Sequence, residues 1–167
     1  MEIEDADEDQ LEWRDTYFIL FQQSERPTLT QVEAAITETS RRLKLENLEA
    51  DEDGMFESVL VQAPQDNAAL EISYETGDAV VAQSADLAKQ LKDDIDVKQL
   101  RRMLQADARL DVMFFERVRG DEYSDGDDDE EWEGGTLDPS SLLKVVDALT
   151  KLTHGVPIDP ASGAILP

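Results

Sequence analysis

The chain has 167 residues, a formal net charge of −25, one histidine and no cysteine. That length suits a single domain with one extra element. The acidic balance disfavours non-specific contact with nucleic acid or an anionic membrane, whose phosphates it repels at long range, and leaves a basic protein, a polyamine or a divalent cation as acceptable partners.

The charge is unevenly spread. Residues 1–15 carry eight acids against Arg14, and residues 120–138 carry ten acids and no base, so 17 of the 25 net charges lie in 34 residues. Met1 to Asp9 reads MEIEDADED, the wrong sign for a secretory or transit segment. The apolar runs are too short to span a bilayer, and the expectation is a soluble, cytoplasmic, bacterial-type protein.

After this leader, Tyr17 to Phe21 are five consecutive apolar residues and read as a central strand covered on both faces. Thr28, or Thr30 with Glu33 three residues on, opens a helix in which Val32, Ala35, Ile36, Thr39 and Leu43 recur at helical spacing. Leu43, Leu45 and Leu48 begin an extended segment, and the turn signal Asp51-Glu52-Asp53-Gly54 leads into a strand over 55–63. Residues 69–75 alternate, with Leu70, Ile72 and Tyr74 on one face and Glu71, Ser73 and Glu75 on the other. That is a strand with one wet face.

Ser84 reads as the cap of a helix over 85–92, and Asp96 with Gln99 restarts a helix carrying Val97, Leu100, Met103 and Leu104. A further strand holds Leu110, Val112 and Phe114 and ends near Val118. The last helix is the clearest. Asp138 is a candidate N-cap, Pro139 fits the first position, and Leu142, Val145, Val146, Leu149 and Leu152 form its apolar stripe. His154 belongs to its last turn and Gly155 stops it.

The order strand, helix, strand, strand, helix, strand, helix predicts an α+β fold, a ferredoxin-like β-α-β-β-α-β antiparallel sheet with an additional C-terminal helix. The expected parts are an acidic leader at 1–15, an α+β domain at 16–119, a flexible acidic loop at 120–137, the C-terminal helix at 138–155 and a tail at 156–167. The stretch His154-Gly155-Val156-Pro157-Ile158-Asp159-Pro160-Ala161-Ser162-Gly163 resembles the tails of several bacterial α+β domains, some of them suspected immunity or stress-related proteins. The Asp-Pro-x-Ser-Gly part is also a good turn sequence, and no functional residue is carried over from the resemblance.

The acidic loop is the main functional candidate. Nine unpaired carboxylates cannot be packed in a core, while Tyr123 and Trp132 within it offer apolar anchors. An EF-hand frame with Gly126 at position six starts correctly at Asp121 but places Tyr123 at position three and Trp132 at position twelve. The frame on Gly54 runs from Glu49 to Leu60 and also lacks the closing carboxylate. Asp125, Asp127, Asp129 and Glu131 remain candidates for diffuse divalent-cation binding only.

Catalysis is poorly supplied. A nucleophilic triad needs a base, and His154 at a helix end reads as a cap. Neither a Gly-x-Gly-x-x-Gly nor a Gly-x4-Gly-Lys loop is present, forty acids give carboxylate pairs by accident, and no cofactor is implied. Arg101-Arg102 and Arg117-x-Arg119 are the basic clusters, expected to pair with the acidic leader or loop. The leading expectation is a non-catalytic module that captures a basic protein through the acidic loop, with Tyr123, Glu131, Trp132 and Glu133 at the contact. The alternatives are a small-molecule-binding or enzymatic domain with a pocket between sheet and C-terminal helix, and a structural or oligomeric protein whose acidic tracts serve solubility.

Overall fold

The computed structural model describes residues 10–118 and 137–166. The chain runs β1 (Gln10–Phe21), α1 (Leu29–Thr39), β2 (Lys44–Ala50), β3 (Phe56–Ala63), β4 (Ala68–Thr76), α2 (Asp78–Leu91), α3 (Val97–Gln105), β5 (Ala108–Val118), α4 (Ser140–Thr153), β6 (Val156–Asp159) and β7 (Ala164–Ile165). All seven strands join one antiparallel sheet in the order β2-β3-β4-β5-β1-β6-β7. The fold is α+β, but the ferredoxin-like expectation is wrong. The sheet has seven strands, and its four helices cover both faces in pairs.

Three strand segments account for the difference. The first strand begins at Gln10, not at Thr16. A bulge at Arg14, between the pairs Trp13↔Phe115 and Asp15↔Phe114, shifts the side-chain parity by one, so the alternation is broken in the sequence although the strand is continuous. Lys44–Ala50 pairs with β3 as an edge strand whose residues are mostly exposed, which leaves it no apolar signature. The expected tail instead supplies β6, paired with Phe18–Leu20 of β1, and β7. The Asp-Pro-x-Ser-Gly sequence is the turn between them. Asp159 Oδ1 accepts from Ala161 N at 3.1 Å, Asp159 O accepts from Gly163 N at 2.8 Å, and Gly163 has φ +73°.

One face of the sheet is closed by α1 and α4. Ile19 and Phe21 of β1, Val59, Val61 and Ala63 of β3, Leu70 and Ile72 of β4, and Leu110, Val112 and Phe114 of β5 meet Val32 and Ile36 of α1 and Leu142, Val145, Val146 and Leu149 of α4. The α1 stripe buries Val32 and Ile36 as the periodicity predicts, but the helix ends at Thr39, so Leu43 lies beyond it, and Thr28 caps its start reciprocally. Thr28 Oγ1 accepts from Gln31 N at 3.1 Å, and Gln31 Oε1 accepts from Thr28 N at 2.9 Å.

Helix α4 starts at Ser140, with two carboxylates at its N-terminus. Asp138 Oδ1 accepts from Ser140 N at 2.9 Å and from its hydroxyl at 2.7 Å, and Asp66 Oδ2 accepts from Ser141 N at 2.7 Å. The Ser140 bonds hold the Asp138 carboxyl below its ordinary pKa. At the other end His154, not Gly155, takes the left-handed turn, at φ 58°. Gly155 is needed for a different reason. A Cβ there would meet Leu20 O at 2.7 Å and Ile19 Cγ2 at 2.8 Å, so only glycine lets the chain pass so close to β1.

The opposite face carries α2 and α3 at one end only. Leu20, Val156 and Ile158 meet Leu87, Ala88 and Leu91 of α2 and Met103 of α3. Helix α2 begins at Asp78, after Gly77 at φ 124°, seven residues earlier than a Ser84 cap would allow. Ser84 is instead buried on the inner side of that helix. Asp96 caps α3 as predicted, accepting from Gln99 N at 2.8 Å.

Candidate functional site

Cross-strand partners share a face of a sheet, so the register identifies what lies on the uncovered end of the α2/α3 face. It carries Leu11, Trp13 and Thr16 of β1, Met113, Phe115 and Arg117 of β5, Ala69, Glu71 and Ser73 of β4, Ser58, Leu60 and Gln62 of β3, and Glu46 and Glu49 of β2. The wet face predicted for β4 is the middle of this surface. Its large apolar members are not fully buried: Trp13 is 55% exposed, and Leu11, Leu60, Met113 and Phe115 are half-buried. A cluster of apolar groups left in water on an otherwise packed sheet is an unusual use of a folded surface, and it marks interaction sites.

Within it lies an open trough of about 290 Å³, lined by Leu11, Leu60 and Phe115 with Asn47, Glu49, Ser58 and Glu71. It crosses from β1 to β2, four strand spacings, or about 19 Å. The bulge at Arg14 shapes the β1 rim. Trp13 Nε1 donates to Thr16 Oγ1 at 2.8 Å across it, and Arg14 turns to the other face against Glu116 at 2.7 Å and Glu12 at 3.1 Å. Glu116 above all strengthens the Arg14 cation, raising its pKa. The boundary with the helix-covered end is set by Arg109, stacked 4.0 Å over the Phe18 ring, 2.5 Å from Asp111 and hydrogen-bonded to Gln83 of α2.

The trough is acidic. Glu49 and Glu71 make no ion pair among the described residues, Glu46 accepts a hydrogen bond from Gln62 at 3.3 Å, and Arg117 reaches the other side of Gln62. It holds little for catalysis. Ser58 Oγ lies 3.5 Å from Glu49 Oε1, too long for an activated nucleophile, and no imidazole lies between them. His154 is elsewhere, its Nδ1 3.0 Å from Glu25 Oε1. The trough volume is also at the low end for a small-molecule site. Among the described residues, no three of His, Cys, Asp or Glu come together to hold a metal ion, and no helix is long and apolar enough to cross a membrane.

Tyr123, Asp125, Asp127, Asp129, Glu131, Trp132 and Glu133 lie outside the described residues. The attachment points of the acidic tracts are described. Gln10, where the leader joins, pairs with Val118, where the loop departs, and the Asp138 N–H donates to Asp66 O at 3.0 Å. Both tracts therefore join the body at the trough end of the sheet. Arg101 and Arg102, expected to pair with them, sit on α3 near the start of β5, and the length of that strand separates the two ends by about 33 Å. Neither makes an ion pair among the described residues.

The trough residues were missed in the sequence because Leu11 and Trp13 fall among acids and read as leader. Their spacing of two, continued on the same face by Phe115 and Met113 of β5, was the available signal. Compared with protein-family models, with curated proteins and with solved structures, the chain matches none.

Proposed function

We propose that the protein is a non-catalytic interaction module that captures a basic partner on the trough, with the acidic tracts strengthening the encounter. The observation that carries this reading is the pairing of an exposed apolar cluster, Trp13 with Leu11, Leu60 and Phe115, with the unpaired carboxylates Glu49 and Glu71. A partner segment with cationic and apolar side chains satisfies both at once. Apolar burial would supply affinity and the carboxylates orientation and encounter rate. The attachment of both acidic tracts at the same end adds to the field that such a segment meets.

The test is a titration with a fluorescent amphipathic peptide of lysines and leucines, at low and at physiological ionic strength. Trp13→Ser should weaken binding by about tenfold or more, the effect of losing an aromatic anchor, with the melting temperature unchanged because the side chain is mostly in water. Removal of residues 121–135 should weaken binding and flatten its salt dependence. Affinity unaffected by either change would overturn the reading.

A further inference from the structure

We infer that the trough takes helix α3 of a second copy of this chain, so that copies associate head to tail. The inference rests on the trough being a docking surface, as proposed above.

Helix α3 carries the two most exposed large apolar side chains among the described residues, Val97 and Leu104. Its inner side buries Met103 and half-buries Leu100. Its outer side carries Val97, 65% exposed, and Leu104, 56% exposed. Val97, Arg101 and Leu104 follow one another at i, i+4 and i+7 and so form a single stripe, flanked by Lys98 and Arg102. This is a basic, apolar patch on a chain of net charge −25, and none of its three cations makes an ion pair among the described residues.

The patch and the trough are complementary in three respects. Lys98, Arg101 and Arg102 are opposite in sign to Glu46, Glu49 and Glu71. Val97 and Leu104 match the hollow formed by Leu11, Leu60 and Phe115. The nine residues of α3 are about 13.5 Å long, within the roughly 19 Å that the trough spans. One copy cannot make this contact with itself, because α3 is fixed by Met103 at the other end of the same sheet face, with its stripe turned outward.

A polyanion is a poorer occupant for the α3 stripe, since the whole chain repels it at long range. Two copies repel each other as well, but at physiological ionic strength the Debye length is about 8 Å. The α3 end is far beyond that distance from the points where its own acidic tracts attach, so local attraction decides. The contact is heterologous, with a different surface used on each copy. Its small area makes it weak and reversible.

Sedimentation velocity of the full chain over a concentration series, at physiological ionic strength, tests the inference. The wild type should gain mass with concentration. Arg101→Glu with Arg102→Glu removes the helix and Glu49→Lys with Glu71→Lys removes the trough. Each double variant alone should stay monomeric, and all four changes are at exposed positions that leave folding intact. An equal mixture should form 1:1 dimers and nothing larger, because one variant has only a working trough and the other only a working helix. A monomeric wild type, variants that associate as the wild type does, or an inert mixture would overturn it.

The lysine–leucine peptide separates the two proposals. If the helix variant binds it normally while the wild type does not self-associate, the self-docking inference fails alone. If the trough variant binds it as the wild type does, the docking surface itself is wrong.

Discussion

The two faces of the sheet are built from the same strands and have opposite fates. On β5, Ala108, Leu110, Val112 and Phe114 are buried under α1 and α4, while Arg109, Asp111, Met113 and Phe115 between them are half-buried. The closed face is uniform: large apolar groups from strands and helices, with the four stripe residues of α4 from Leu142 to Leu149 completely covered. The other face is divided by Arg109 into a helix-covered end and an end that no helix covers among the described residues. What separates the two ends is coverage, not strand composition alone, since Phe115 and Leu60 would be at home in a core. Apolar side chains kept at the surface forgo burial worth about 1.5–3 kcal/mol each. That cost is tolerated where the surface has another use.

The contrast can be broken most strongly from the closed side. Leu149 is fully buried between α4 and the sheet, and Leu149→Ala should cost about 2–5 kcal/mol in chemical denaturation. A loss below about 1 kcal/mol would mean that the closed face is not the core.

A smaller effect is expected where α4 gives way to the sheet. In Gly155→Ala the new methyl meets backbone on one side and Ile19 on the other, so about 1–3 kcal/mol should be lost through overpacking. An unchanged denaturation midpoint would show that the close passage against β1 is not as drawn.

The smallest effect sharpens the margin of the closed face. Burial there, together with the nearby Asp15 carboxylate, pushes the Tyr17 hydroxyl up to about 12. The folded state thus holds this proton more tightly than the unfolded state does. The resulting stability is complete below pH 10 and declines as pH rises toward about 12. Tyr17→Phe should flatten that decline, and an identical alkaline slope in the variant would place Tyr17 in water.

Much of this contrast was legible in the sequence. The alternation of Leu70, Ile72 and Tyr74 with Glu71, Ser73 and Glu75 already specified one dry and one wet face, and the α4 stripe specified a helix with one side to bury, but not the face it covers. The pairing of the strands was not legible, because it joins residues far apart in the chain and depends on which edges remain free. The bulge at Arg14 broke the alternation of β1, the exposed β2 showed only as an extended segment, and Pro157 weakened the strand signal of β6, which was expected as part of a tail. The trough was illegible for a further reason. Half-exposed Leu60 and Phe115 look like core residues until it is seen that no described helix lies above them.

The position of β1 has a consequence in time. It is synthesised well before the strands it pairs with, since its neighbours are β5 and β6, with Phe21 pairing Ala108, Gln10 pairing Val118 and Ile19 pairing Pro157. Tyr17 to Phe21 therefore emerge from the ribosome long before anything exists to pair with them, and closure of the sheet waits on contacts about ninety to a hundred and forty residues apart. Such non-local pairing belongs to slow-folding topologies. Six carboxylates lie among residues 1–9, with seven residues between them and that apolar run. Like charge near an unpaired apolar strand disfavours association between nascent chains, which is the general action of gatekeeping residues.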